Sequence, residues 1–414
     1  PPIAPSDLVA SSSSTTAPSD VAIQWTDNAA DETGFTLERS SDGTNFAILS
    51  QLAANSTTAT DTGVGAGTWS YRVKATGISV DSAYSSTASV VISPSSGGTP
   101  PLPGIGPTIT SFTPSGPLTL SSGQTITGLH ITSESGPCIF GYAVTDVHIY
   151  NNKIGPCGPN DPDGNGIFLQ EGSANITVDH NAFDDVASGV YVQGNGIVAD
   201  NIVIDRNYFR NARGPFTNGR GEYVQFDRVK GAGHKFTCNI GEQVPLDKAE
   251  KEDCFKRHGG KPIEIAYNKI RGGSSINGCG IQTGDQEGGY MNIHHNNVIQ
   301  TGGCGISISG GHDISMTDNK AYSPQTPVSN LGGTVFAWQG GGNQNVQCSN
   351  ITFARNAISW ICGYADYCGS PGAHNDFWND GNCGTVTGID TNILGDAAGL
   401  DPNAMWNETF TACE

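Results

Sequence analysis

A short phrase of apolar and polar positions recurs from residue 149 onward. It reads apolar, two polar residues, asparagine, any residue, apolar, and its first copies are residues 149–154, 178–183 and 204–209. The asparagine returns after 29, 26, 32, 29, 28, 23 and 37 residues, at Asn152, Asn181, Asn207, Asn239, Asn268, Asn296, Asn319 and Asn356. Self-similarity at a period of roughly 20 to 50 residues indicates a solenoid. Because no helical period lies between the copies, each predicts one strand–turn–strand coil of a right-handed parallel β-helix. Stacked asparagines would form an amide ladder along it.

A second element lies between the asparagine turns, an alternating strand that ends in glutamine or serine. Side chains alternate faces along a strand, which puts Phe168, Tyr191 and Tyr223 on an exposed strip. Beside this strip we expect a column of Gln170, Gln193, Gln225, Gln282, Ser309 and Gln339. Counting back 11 residues from Asn268 adds Arg257 to the centre of the column. Aromatic rings and amides suit sugar rings and hydroxyls, although a solvated sheet face is the plainer interpretation.

Apolar and polar residues alternate along several segments of the first 95 residues, and this pattern predicts a β-sandwich. Residues 21–25, 34–39 and 68–75 are alternating strands separated by turn residues. Their order resembles a fibronectin type III domain, which implies that Tyr71 occupies the tyrosine corner. Residues 96–107 form a Pro/Gly linker. Residues 108–414 remain for the β-helix and its C-terminal cap.

Composition narrows the class of partner. Charged residues are only 14% of the 414-residue chain and glycines number 56, which suits short strands and tight turns. The net charge of −19 argues against nucleic acid as a partner. The sequence contains no run of 18 apolar residues, so we expect no insertion into a membrane. Yet 14 of the 20 Lys and Arg residues lie between Arg206 and Arg271, among eight acids. This basic zone predicts a site for an anion, or else a solvated patch. We expect a monomer.

Eleven cysteines lie between residues 138 and 413, and none has zinc-site spacing. Disulfides in an oxidising compartment fit better, so we expect a secreted, extracellular protein. Proximity favours the pairs Cys138–Cys157, Cys238–Cys254 and Cys279–Cys304, with Cys413 left unpaired.

Titratable residues cluster around the centre of the predicted strip. Elimination from a uronate-bearing polysaccharide needs a cation that neutralises the uronate and a base that removes the proton alpha to its carboxylate. The segments Gly221-Glu222, Lys230 and Arg257-His258-Gly259 resemble those of the alginate lyase and chondroitinase B family of β-helix polysaccharide lyases. By that resemblance Lys230 is the base and Arg257 the proton donor, while Glu222 and Asp227 hold Ca²⁺. The family's second glutamate is Val224 here.

Two other functions remain open. A glycoside hydrolase would use paired carboxylates, such as Asp227 with Asp285 or Glu287, roughly 6.5–9.5 Å apart. A non-catalytic adhesin of the same fold would bind carbohydrate without turnover. The candidate catalytic residues are Lys230, Arg257, Asp227 and His258. The candidate substrate-binding residues are Gln170, Tyr191, Gln193, Tyr223, Gln225, Arg228, Lys235, Gln282, Asp285, Glu287, His312 and Gln339.

Overall fold

The structure is a computed structural model of two compact units, Pro1–Gly98 and Thr99–Glu414. It describes the chain except residues 13–18, 42, 65–66, 93–103, 160, 195–196, 214–221, 228, 244–254, 261–262, 274–277, 327–328, 330, 337–347, 364–369 and 380–383. Of residues 19, 63, 67, 255–260, 284–288, 335–336 and 379 only the backbone is described. Two candidate site residues, Arg228 and Gln339, therefore lie outside the described residues.

The N-terminal unit is a β-sandwich of two antiparallel sheets. One sheet has the order β1 (Ser6–Ser12), β2 (Ser19–Thr26) and β5 (Thr58–Val64), and the other has the order β4 (Ala47–Ala53), β3 (Gly34–Ser40), β6 (Gly67–Thr76) and β7 (Ala88–Ile92). The alternating apolar residues predicted from the sequence, among them Trp25, Phe35 and Val73, form its core. The buried Tyr71 hydroxyl on β6 donates to the carboxylate of Asp61 on β5 at 2.9 Å, so this tyrosine joins the two sheets through a side chain rather than bonding a loop as the predicted tyrosine corner would.

The second unit is a parallel β-helix whose coils build three sheets. Sheet 1 contains β9 (Leu118–Thr119), β12 (Ile139–Tyr142), β15 (Ile167–Gln170), β18 (Val190–Gln193), β21 (Val224–Asp227), β24 (Phe255–Gly260), β27 (Cys279–His294), β29 (Cys304–Ile308), β32 (Gly332–Phe336) and β35 (Phe377–Asn379). The long strand β27 continues round the corner from sheet 1 into sheet 2.

Sheet 2 contains, besides the second half of β27, the strands β10 (Thr125–Thr127), β13 (Thr145–Tyr150), β16 (Ala174–Asp179), β19 (Ile202–Asp205), β22 (His234–Thr237), β25 (Ile263–Ala266), β30 (Gly311–Thr317), β33 (Cys348–Ala354) and β36 (Val386–Thr387). Sheet 3 contains β8 (Thr113–Ser115), β11 (Leu129–Ser133), β14 (Lys153–Cys157), β17 (Ala182–Val186), β20 (Tyr208–Ala212), β23 (Ile240–Glu242), β26 (Lys269–Arg271), β28 (Asn297–Ile299), β31 (Lys320–Ser323), β34 (Ala357–Trp360) and β37 (Ile393–Leu394).

Inward-facing side chains stack coil upon coil because parallel strands in register place equivalent residues side by side. One such column on sheet 2 is fully buried and consists of Ile149, Val178, Ile204, Phe236, Ile265, Ile293, Met316 and Phe353. Columns of this kind fill the interior of the solenoid with apolar side chains, and this burial is its main stabilising contribution.

The predicted amide ladder is confirmed. From Asn152 to Asn356, each buried asparagine donates its side-chain amide to the side-chain oxygen of the asparagine on the next coil, at 2.9–3.1 Å. The last of these bonds reaches Asn392, which extends the ladder beyond the predicted copies. The residue before each predicted asparagine has a positive φ of 51–60°. This left-handed residue turns the chain from sheet 2 into sheet 3.

The disulfides are partly as predicted. Cys138–Cys157 and Cys279–Cys304 are confirmed. The predictions for Cys238 and Cys413 were wrong, because these two cysteines pair with each other across 175 residues. Proximity along the chain missed this pair because the C-terminal segment returns to the middle of the solenoid.

The C-terminal segment lies across sheet 3 as a strap, which we define as residues 402–414. It contains the helix α1 (Pro402–Asn407) and a 3₁₀ turn at Thr411–Cys413; two further 3₁₀ turns precede it at Ile389–Thr391 and Gly395–Ala398. The buried ammonium group of Lys269 donates to the carbonyl oxygens of Trp406 and Glu408. Arg271 stacks on the Trp406 ring at 3.9 Å, and Lys320 pairs with Glu408 at 2.7 Å.

The predicted fold class, a right-handed parallel β-helix preceded by a small fibronectin type III-like β-sandwich, is confirmed by these sheets. Of the helices in the described part of the chain, none has the length and apolar character that crossing a bilayer requires.

The ladder predicts a large effect of one amide. Asn296→Ala removes a donor to Ile265 and Asn319 and an acceptor for Asn268. Because buried groups are then left without partners, we expect a loss of about 3 kcal/mol or more in the free energy of unfolding of the β-helix. Asn292→Ala, an exposed position on the same coil, is the matched control, expected within about 0.5 kcal/mol of wild type in denaturant titrations. Equal effects of the two variants would contradict a stabilising ladder.

Lys269 predicts a pH dependence of the strap. Burial lowers the pKa of Lys269 from 10.5 to about 8, against the opposing attraction of Glu408. Between these two values the unfolded chain binds more protons than the folded one, so stability should rise as the pH increases from 8 to 10.5. Lys269→Met should remove this rise in urea midpoints, whereas Lys153→Met, also on sheet 3, should keep it. If the Lys269→Met variant still becomes more stable as the pH increases, the pH dependence belongs to other titratable groups.

Candidate functional site

The outer face of sheet 1 carries two rows of side chains that run from coil to coil. Strand pairing aligns one row as Phe140, Phe168, Tyr191, Gln225, Lys256, Gln282 and Ser307. The other row is Tyr142, Gln170, Gln193 and Asp227. We call these two rows together the sheet 1 face. Aromatic, amide and carboxylate groups thus share one surface, as the sequence predicts.

The predicted column of glutamines is wrong in its register. Gln193 pairs with Asp227, and Gln225 pairs with Tyr191 in the neighbouring row. Lys256, not Arg257, lies between Gln225 and Gln282, while Arg257 pairs with the buried Phe226. The error arises because the connections from sheet 1 to sheet 2 differ in length from coil to coil: residues 171–173, 194–201 and 228–233 form three of them, and β27 runs from one sheet into the other without a break. Counting residues back from an asparagine therefore does not preserve the strand register.

A hydrogen-bonded line crosses three coils of the sheet 1 face. The amide of Gln170 donates to Gln193 at 2.9 Å, and the amide of Gln193 donates to the Tyr191 hydroxyl at 3.2 Å. The Tyr191 hydroxyl in turn donates to the carboxylate of Asp227 at 3.3 Å. Burial and the nearby Asp227 charge raise the pKa of Tyr191, so its hydroxyl stays protonated. The line fixes the direction of each amide and holds the Asp227 carboxylate beside the Tyr191 hydroxyl.

Tyr191 is less accessible than the predicted strip requires, and Tyr223 is not on the face at all. Tyr191 is only 3% exposed, so it takes part through its hydroxyl rather than as an open ring. Tyr223 is 1% exposed and stacks on Phe209 of sheet 3 at 5.8 Å. The assignment of Tyr223 to substrate binding was wrong because this residue turns into the core one position before β21 begins. Gln225 and Gln282 are also largely buried.

The two predicted calcium ligands differ in exposure. The side chain of Glu222 is fully buried, with Ser188 Oγ 3.4 Å from its carboxylate, whereas Asp227 lies on the sheet 1 face. The described residues contain no group of three histidine, cysteine or acidic side chains that could hold a metal. Because Ca²⁺ takes six to eight oxygen ligands, roughly, Glu222 and Asp227 alone would not complete its coordination, and the calcium site stays a prediction.

Lys235 and His312 belong to sheet 2. Lys235 forms an ion pair with Glu264 on the next coil at 2.9 Å, and His312 lies 2.6 Å from its neighbour Asp313. Their assignment to the sheet 1 face was wrong, because both follow the corner at which the chain leaves that sheet. Lys230 occupies the connection between β21 and β22, close to Asp227 in sequence, and its side chain is exposed.

The cations of the basic zone whose side chains the structure describes are distributed around the coil rather than gathered on one face. Arg206, Arg210, Arg213 and Arg271 form ion pairs with acids at the sheet 2–sheet 3 corner, on sheet 3 or just beyond it, and Lys269 is covered by the strap. The cations that remain for the sheet 1 region within the described backbone are Lys230, Lys256 and Arg257. Of His258, Asp285 and Glu287 the structure gives the strand positions, and His258 pairs with Asp285.

Sequence reasoning missed the first coil of the face. Phe140 and Phe168 approach edge to face with ring centroids 5.8 Å apart, and Phe168 stacks on Tyr191 at 5.0 Å. On the same two coils the exposed Tyr142 hydroxyl donates to Glu171 at 2.9 Å. The signal was present, because residues 139–142 alternate in the same frame as residues 167–170.

Comparison with known proteins supports the fold alone. A family model described as a right handed beta helix region matches residues 108–230. Solved structures similar to this chain include pectate lyase PelI from Erwinia chrysanthemi (12% identity, 94% of this chain, 99% of that chain, TM-score 0.29) and a family 28 exopolygalacturonase from Yersinia enterocolitica (9%, 94%, 99%, 0.29). An Fn3-like protein from Clostridium thermocellum matches 21% of this chain and 90% of its own at 26% identity and a TM-score of 0.19. No curated protein matches the chain.

The burial of Tyr223 predicts a structural effect of its removal. Tyr223→Ala should cost about 3–5 kcal/mol of stability, because it empties a core position against Phe209 and sheet 3. Tyr142→Ala, at a residue 56% exposed on the sheet 1 face, should leave the unfolding midpoint within experimental error. The melting temperatures of both variants are compared by calorimetry. A wild-type melting temperature for Tyr223→Ala would mean that Tyr223 lies on the surface, as the sequence predicts.

Proposed function

We propose that this protein degrades a polysaccharide bound along the sheet 1 face. The observation that carries the proposal is the hydrogen-bonded line from Gln170 through Gln193 and Tyr191 to Asp227. Amides and a phenol that are already oriented can bond the hydroxyls of successive sugars without a further loss of side-chain entropy. The parallel coils repeat every 4.8 Å or so, so such a face suits a linear polymer. The disulfides suit an oxidising, extracellular setting.

We further propose that the substrate is acidic and that the reaction is β-elimination. Lys230 lies three residues after Asp227, and Lys256 occupies the central row position beside Gln225. The ammonium group of Lys256 would neutralise the carboxylate of a bound uronate. Lys230, with its amine unprotonated, would take the proton alpha to that carboxylate as the bond to the leaving glycosidic oxygen breaks, which leaves a carbon–carbon double bond. A water molecule would return a proton to the leaving oxygen, because Arg257, the predicted donor, is in register with the buried Phe226 and not with the outer row of Lys256.

Hydrolysis by paired carboxylates is the second candidate, and one register observation favours it. His258 follows Arg257, the partner of Phe226, and pairs with Asp285 on the next coil. Asp285 therefore lies two coils from the level of Asp227. Two coil spacings amount to about 9.6 Å between backbones, near the roughly 6.5–9.5 Å that separates the carboxylates of inverting glycosidases.

One assay separates these reactions. Acidic polysaccharides are digested while reducing ends and absorbance at about 235 nm, from the unsaturated uronate, are followed together. Both signals should rise. Lys230→Ala should lower the rate by about 10²- to 10⁴-fold, since it removes the base, and Lys235→Ala, an exposed lysine on sheet 2, should retain the wild-type rate.

The other outcomes identify the alternatives. Reducing ends without absorbance, lost in Asp227→Asn but retained in Lys230→Ala, would mean hydrolysis. Asp179→Asn is the control for that variant, because Asp179 is a carboxylate on sheet 2 that bonds His148 and His180. Binding of the polymer with no new reducing ends would leave an adhesin.

A further inference from the structure

The first coils of the sheet 1 face contain a cavity apart from the proposed reaction centre. It has a volume of about 420 Å³ and is lined by Phe140 and Phe168 together with Thr119, Pro137 and Asp163. Phe140 belongs to β12 and Phe168 to β15, while Thr119 pairs with Phe140 from β9. Binding cavities for small molecules have volumes of about 300–1,000 Å³, so this one has room for a sugar ring.

The floor of the cavity is aromatic and held in place. Phe168 is fixed between Phe140 and Tyr191, with ring centroids 5.8 and 5.0 Å away. Both phenylalanines remain partly exposed, so their rings offer surface to a ligand. Pyranose rings have an apolar face of C–H groups, and that face stacks on aromatic rings while hydroxyls at the edge reach polar groups. Thr119 and Asp163 supply such groups at the wall.

The charge around the cavity selects against a uronate. Asp163 is the one charged residue among those that line it, and the Tyr142–Glu171 pair on the same coils adds a second carboxylate nearby. A uronate ring would bring a like charge to this place, whereas a neutral ring meets no such repulsion. In register, Phe168 lies three coils before Lys256, a distance of about 14 Å.

We propose that this cavity is a subsite for a neutral sugar ring, and that the substrate is a heteropolysaccharide with both neutral and uronate residues. The inference rests on the proposed function, because it divides the sheet 1 face into a neutral aromatic end and a cationic centre. A single bound chain then places a neutral ring on Phe168 while a uronate lies beside Lys256 and Lys230.

Calorimetric binding of three hexasaccharides tests the proposal. One probe is a neutral β-1,4-glucan, one a polyuronate, and one an alternating chain of neutral hexose and uronate, with the Lys230→Ala protein used for the last two to prevent turnover. The alternating chain should bind at least about tenfold more tightly than either homopolymer. Phe168→Ala should weaken the neutral and alternating probes by about tenfold, the effect expected of one lost aromatic contact, and leave the polyuronate unchanged.

Two further variants guard against a folding artefact. Asp163→Asn alters charge at a turn without touching the aromatic packing, and it should tighten the polyuronate by about fivefold while the glucan is unaffected. Tyr150→Ala removes a ring stacked on His148 of sheet 2 and should change none of the three affinities. Equal affinity for polyuronate and alternating chain, or no response to either Phe168→Ala or Asp163→Asn, would overturn the subsite.

The two proposals fail separately. Unsaturated product from a polyuronate, with no preference for the alternating chain, would keep the lyase and remove the neutral subsite. The predicted binding pattern without any product would keep the subsite and remove the catalytic proposal.

Discussion

The hydrogen bond from one asparagine to the next is the constraint on which the β-helix depends. At each turn from sheet 2 into sheet 3 the chain passes through a left-handed residue, and the following asparagine is fully enclosed. Its amide finds partners only when the next coil presents an oxygen at the same height. A buried amide without partners is costly, so one alignment of the coils is favoured over all others. The strand register of sheets 2 and 3, which adjoin the turn directly, follows from that alignment.

This explains which predictions from sequence were right. Asparagine is tied to the turn by a local rule, so its positions could be read along the chain and the ladder derived from them. The inward columns followed equally well, because alternation within a strand is local. The rows of the sheet 1 face were harder to predict, because the connections that enter and leave sheet 1 both differ in length from coil to coil. Gln193 and Gln225 therefore fall into different rows although their tripeptides look alike.

The positions of the charged residues were predicted wrongly for a different reason. A cluster of cations within 66 residues of sequence looked like one site, but a coil of the β-helix carries successive residues around all three sheets. Arg210 and Arg271 consequently pair with acids on sheet 3, and Lys235 with Glu264 on sheet 2. In a solenoid, residues share a face when they occupy equivalent places in successive coils, not when they are neighbours in sequence. Phe140, Phe168 and Tyr191 meet that condition, and the described part of the basic zone largely does not.

The strap has a consequence for how the solenoid comes apart. A repeat protein held together only by neighbour contacts can unravel from its last coil inward. Here the chain end is bonded covalently at Cys413 to Cys238 in the middle of the solenoid, and Glu408 is held by Asn297 and Lys320 from two later coils. The coils between β23 and the end are thereby closed into a ring. The last coils therefore cannot detach one at a time, and we expect them to open only together with the strap that is bonded to them.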